Sequence, residues 1–138
     1  MSYGICLKAK IEGTDKYVTV AEPECCSPTY NLRKIFVKSM GWDYEHGLYP
    51  CSDVLEYIHR GLSELIINGS EYRKLEPPNG WETVETAIET LTSVQKCILE
   101  TSKKIPIEHI FFSWKGDNPW EEISREEYED RKNRKMIL

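Results

Sequence analysis

YGICLKAKIEGTDKYVTVA, residues 3–21, decides the fold class. Tyr3, Ile5, Leu7, Ala9 and Ile11 alternate with Gly4, Cys6, Lys8 and Lys10, the period of a strand with one face buried and one wet. Gly13, Thr14 and Asp15 follow as turn residues, and Tyr17 to Ala21 alternate again. Residues 3–21 therefore read as a β-hairpin, and the chain cannot be all-helical.

Beyond the hairpin the apolar period lengthens. EPECCSPTYN carries two prolines and small polar residues, as an irregular connection does. Leu32, Ile35, Phe36 and Met40 then share one face of a short helix that Gly41 can close. WDYEHGLYP, residues 42–50, reads as a loop dense in aromatics. Ser52 is the expected N-cap of a longer helix with Asp53 in its first turn. Its stripe is Val54, Leu55, Ile58, Leu62, Leu65 and Ile66, and Asn68-Gly69 stops it. SEYRKL, residues 70–75, adds one helical turn.

KLEPPNGWETVETA, residues 74–87, leads into the next helix. Asn79, three residues before Glu82, is the expected cap in a variant of the capping box. Val84, Ala87, Ile88, Leu91, Val94 and Ile98 form the apolar stripe. HIFFSW, residues 109–114, is the expected third strand, pairing with the hairpin. Asn118-Pro119 opens a charged terminal helix, with Glu121 and Arg125, Glu127 and Arg131, and Asp130 and Arg134 four apart.

These readings predict an α+β fold: a small antiparallel sheet packed on one face against two or three helices. Residues 1–116 would form the single domain and 117–138 a charged helix or tail. A chain of 138 residues suits one core.

The net charge of −5 and the lack of an internal basic run argue against general nucleic-acid binding. No apolar run approaches a membrane span or a signal-peptide core, which argues for a non-membrane, cytoplasmic protein. Five scattered cysteines, an odd number, fit reduced thiols in that compartment. A homo-oligomer through an exposed face is compatible with all of this.

Catalytic chemistry has few footholds. Phosphate-loop, dinucleotide and zincin motifs are missing, so no cofactor is expected. His46 with Cys25, Cys26 and Cys51 lacks the paired spacing of structural zinc, and no metal is expected. A cysteine-dependent enzyme using Cys51 or Cys26 is the remaining catalytic alternative. The set best suited to recognition is Tyr30, Asn31, Arg33, Trp42, Tyr49, Asn79 and Trp81: aromatic walls with a few fixed polar groups. Ordinary domains use such residues equally to seal the end of a core.

Thr29-Tyr30-Asn31, Gly41-Trp42 through Gly47-Leu48-Tyr49, Ser52-Asp53-Val54-Leu55 and Leu75 through Trp81 together resemble a group of small uncharacterised proteins of bacteriophages and bacterial mobile elements. The resemblance spans roughly residues 3–100. Where that group tends to read Asn-Gly-Trp-Gly, this chain has Glu82, which removes backbone freedom after Trp81. The resemblance implies a non-enzymatic binding protein, an antagonist of host defence that masks a host protein or sequesters a nucleotide-like signal. The alternative is a protein–protein interaction module that offers its acidic terminal helix to a basic partner.

Overall fold

The computed structural model describes residues 4–24, 32–42, 48–78, 80 and 82–115. The expected terminal helix over 117–138 lies outside the described residues. In chain order the elements are β1 (Gly4–Lys10), β2 (Tyr17–Ala21), α1 (Arg33–Met40), β3 (Leu48–Pro50), α2 (Cys51–Ile67), α3 (Gly69–Arg73), α4 (Val84–Ser102), a 3-10 turn (Ile107–His109) and β4 (Ile110–Lys115). The strands form one antiparallel sheet in the order β2-β1-β4-β3. The expected α+β class holds, and the late strand β4 pairs with β1 of the hairpin as expected, with β3 on its other side.

Strand registers place Ala21 beside Leu7, Leu7 beside Phe112 and Phe112 beside Tyr49, one row across all four strands. This face meets the helices: Leu7, Tyr49, Ile110 and Phe112 share a core with Phe36, Ile58, Leu65, Leu91 and Ile98. The opposite face was expected to be wet. In its β4–β3 half it is not, because Leu48, Pro50, Phe111 and Ser113 are also buried. Tyr17 meets Phe111 there edge-on, ring centres 5.5 Å apart. Burial on both faces explains why residues 110–112 read as an unbroken apolar run and not an alternating one.

Strand β3 corrects the reading of residues 42–50 as loop. Three residues are too few to show a period of two, and Pro50 argues against a strand. The sheet admits it because β3 is an edge, where a missing amide costs no ladder hydrogen bond. The chain turns directly from β3 into α2, so Pro50 occupies the N-cap position and Ser52 lies inside the helix. The start of α4 differs similarly. Its cap is Thr83, four residues after Asn79, with a reciprocal capping box to Thr86.

Helix α2 buries Cys51, Val54, Ile58, Gly61 and Leu65, a strict alternation of three- and four-residue steps. Ile66, expected in this stripe, is 69% exposed. One residue after Leu65 is a turn of about 100° about the helix axis, away from the core. Gly61 takes the stripe position that apolar counting assigned to Leu62, which is only partly buried. α1 matches its reading throughout: Leu32, Ile35, Phe36 and Met40 are buried, and Gly41 ends the helix at φ 67°.

Candidate functional site

The loop from Lys74 to Thr83 leaves α3 and enters α4, and both of its ends are fastened to the same carboxylate–guanidinium cluster. On the entry side Leu75 N–H donates to the Tyr72 carbonyl at 2.9 Å and Glu76 N–H to the Arg73 carbonyl at 3.2 Å. Glu76 then turns back: its Oε2 accepts from the Val84 N–H at 2.8 Å, satisfying a donor that α4 leaves unpaired at its first turn. The Arg73 guanidinium lies 3.6 Å from Glu76 and reaches across to both carboxylate oxygens of Glu85. Thr83 completes the exit side, its Oγ1 accepting from Thr86 N–H at 3.4 Å while its own N–H donates to Thr86 Oγ1 at 3.3 Å. Between these clasps Pro77 and Pro78 limit the backbone, and Gly80 closes a turn at φ 72°, its N–H 3.1 Å from the Pro77 carbonyl.

Two acids, Glu76 and Glu85, thus stand at the positive end of the α4 dipole with Arg73 between them. The hydrogen bonds from Arg73 hold the Glu85 carboxyl at about 2, below the ordinary 4.5. Because the folded value is the lower one, this contribution is fully present above about 4.5 and is lost as pH falls towards 2. Both side chains are more than half exposed, so the stability effect is small. The titration itself is the sharper readout. In Arg73→Gln the Glu85 carboxyl, followed by NMR, is expected to move up towards the ordinary carboxylate range without reaching it, because the hydrogen bonds from its own backbone amide and from Thr83 remain; an unmoved titration would show that Arg73 does not hold it.

Of the seven residues expected to bind, Tyr30, Asn31, Asn79 and Trp81 lie outside the described residues. Arg33 is exposed at the start of α1. The structure brings Trp42 and Tyr49 together, but inside the core, 7% and 3% exposed. Trp42 stacks on Tyr57 at 4.7 Å and meets Tyr49 edge-on at 4.9 Å and Phe112 at 6.4 Å. In this arrangement their ring faces are spent on packing, and they seal one end of the core. Tyr57 belongs to this cluster and was missed; it sits beside the α2 stripe, where a helical position reads as flank. Arg73, Glu76 and Glu85 were missed as well. Arg73 and Glu85 are 12 residues apart on different helices, a spacing that carries no local signal.

Two of the described thiols, Cys51 and Cys97, are buried. Cys51 opens α2, where the helix dipole favours a thiolate, yet it is wholly buried, and burial pushes its thiol far above the ordinary range, with Cys97 adding to the effect. Burial raises Cys97 too, against a hydrogen bond with Thr101. Cys51 is therefore expected to resist iodoacetamide at neutral pH in the folded protein and to react once urea unfolds it. Rapid labelling of the native protein at Cys51, located by peptide mass, would contradict this burial. Cys25, Cys26 and His46 lie outside the described residues, and among those described no three His, Cys, Asp or Glu residues gather to hold a metal ion. Among the described residues no helix is long and apolar enough to cross a membrane.

Comparison of the chain with protein-family models, with curated proteins and with solved structures finds no match.

Proposed function

We propose that the protein works by binding and not by catalysis, and that the Lys74–Thr83 loop is the centre of its binding surface. The observation that carries this reading is the double clasp of the loop. Recognition residues are most often set on loops that a rigid scaffold holds in place, because a pre-ordered loop loses less entropy on binding. Here Glu76, Arg73, Glu85 and the Thr83–Thr86 box hold both ends of a segment whose sequence includes Asn79 and Trp81. The burial of Cys51 weighs against the thiol-dependent alternative. The resemblance to bacteriophage proteins supplies the class of target: a component of host defence, either a protein surface or a nucleotide-like signal. Trp81 would stack on the target and Arg33 would face an anionic group.

Native mass spectra of protein isolated gently from its host, before and after denaturation, test this. A small mass lost on denaturation identifies a captured ligand; a heavier companion identifies a protein. Trp81→Ala and Arg33→Ala are each expected to weaken retention of that companion roughly tenfold or more. Retention unchanged in both variants would remove the loop and Arg33 from the binding surface.

A further inference from the structure

We propose that the acidic segment following β4, residues 117–130, folds back over the second face of the sheet and covers Leu48, Pro50, Phe111 and Ser113. This goes beyond the binding reading and rests on none of the loop residues.

The registers set these four side chains on one face: Ser113 lies beside Leu48 and Phe111 beside Pro50, while Tyr49 and Phe112 point to the other. All four are buried, Leu48 to 3%, Phe111 to 5% and Ser113 to 0% exposure. Yet Leu48 and Phe111 stand apart from the core that the helices share with Leu7, Tyr49, Ile110 and Phe112. The buried apolar side chains of α1, α2 and α4 all belong to that other core. Leu48 is on an edge strand with a neighbour on one side only, so adjacent strands do not shield it. Tyr17 reaches Phe111 from β2, on the far side of β1, and meets it edge-on. A further layer therefore lies over this half of the sheet. The burial belongs to a single chain, so that layer is part of the same chain.

Length and point of departure select the segment. Residues 25–31 lead from Glu24, 4.0 Å from Lys96 of α4, to Leu32 in the helical core, so both flanking residues are held on the helical side. Residues 43–47 have to bring the chain from Trp42, stacked on Tyr57, to Leu48. Residues 1–3 are too few to cover two strands. Residues 116–138 leave β4 itself. From Phe111 to Lys115 the strand rises about 13 Å, which a helix retraces in about nine residues. Gly116, Asp117 and Asn118 are turn residues suited to the reversal, and Pro119 suits the first turn of a helix. Trp120 and Ile123, three apart, would share a helical face and lie on Leu48 and Phe111.

Charge matches as well. The four strands contain no acidic residue, and the register that pairs Lys8 with Phe111 puts Lys8 and Lys10 on the second face. In residues 117–130 every charged residue except Arg125 is acidic. The segment would thus meet lysines and no like charge on the sheet, which fixes its orientation as well as its attraction. Its acids are then committed to the chain's own domain and not offered to a basic partner.

Nuclear Overhauser contacts in the full chain test the proposal, because the ring protons of Trp120 report directly on what they touch. Contacts from the Trp120 indole to Leu48 or Phe111 are expected, in a spectrum where Trp42 and Tyr57, stacked at 4.7 Å, serve as the internal standard. The full-length variant W120D/I123D is expected to lose them while the Trp42–Tyr57 contact persists. It should also raise the alkylation rate of Cys6, which lies beside Ser113 in the register, about tenfold. If Trp120 shows no such contact while the standard is seen, or if the contacts to Leu48 and Phe111 come from residues 43–47 alone, the proposal is overturned. A Cys6 rate that the variant leaves unchanged overturns it equally, since a layer over Ser113 also screens its neighbour.

Discussion

Phe112→Ala is expected to destabilise the protein by about 3–5 kcal/mol. Phe112 is wholly buried in the central strand β4, between Leu7 of β1 and Tyr49 of β3 in the row that crosses the sheet. Trp42 packs on it from the helical side at 6.4 Å. Truncation removes the transfer energy of the ring and leaves a cavity whose walls belong to three strands and the aromatic cluster. Those walls are held by ladder hydrogen bonds and cannot collapse freely, so the loss should fall in the upper part of that range. Set against the roughly 5–15 kcal/mol by which domains of this size are stable, it would leave little reserve at 37 °C. Urea unfolding followed by tryptophan fluorescence measures the shift in midpoint. A loss below about 1 kcal/mol would mean that the centre of the sheet is not packed as described.

Gly61→Val is expected to cost about 3 kcal/mol, the upper end of what overpacking imposes. A Cβ at Gly61 would come within 2.7 Å of Met40 Cγ on α1 and 3.0 Å of Leu91 Cδ1 on α4. These atoms lie within buried side chains, so relief requires helices to separate and not merely a surface side chain to swing aside. Gly69→Ala is the control, since a Cβ there meets nothing within 4 Å. It should be neutral, or stabilising by a few tenths of a kcal/mol through a less disordered unfolded chain. Equal effects at the two glycines, measured by the same unfolding experiment, would show that α1, α2 and α4 do not converge at Gly61.

These two positions mark how far a sequence can be read. The isoleucine and adjacent aromatics of residues 109–114 favour a strand at Phe112, but nothing local fixes its central position in the sheet. Strand order depends on which edges meet in space, and the expected pairing of β4 with the hairpin left either edge open. Gly61 was passed over because counting apolar side chains gives no weight to a residue without one. The expected site was legible as composition only: Trp42 and Tyr49 do meet, yet against Tyr57 and Phe112 in the core. The clasp of the Lys74–Thr83 loop had no sequence signature, because Arg73 meets Glu85 across two helices.

Local physics thus sufficed for the kind and approximate extent of β1, β2, β4 and the longer helices: alternation in residues 3–21, the three- and four-residue rhythm of α1, α2 and α4, and the glycine that closes α1. These depend on neighbours within a few residues along the chain, which the sequence states directly. The insertion of β4 beside β1, the strand at Leu48–Pro50, the burial of both faces around Phe111 and the close approach of Met40 and Leu91 to Gly61 were decided only by the tertiary structure. Each depends on groups distant in the chain competing for the same volume and the same hydrogen bonds, and that competition is resolved only when the whole core closes.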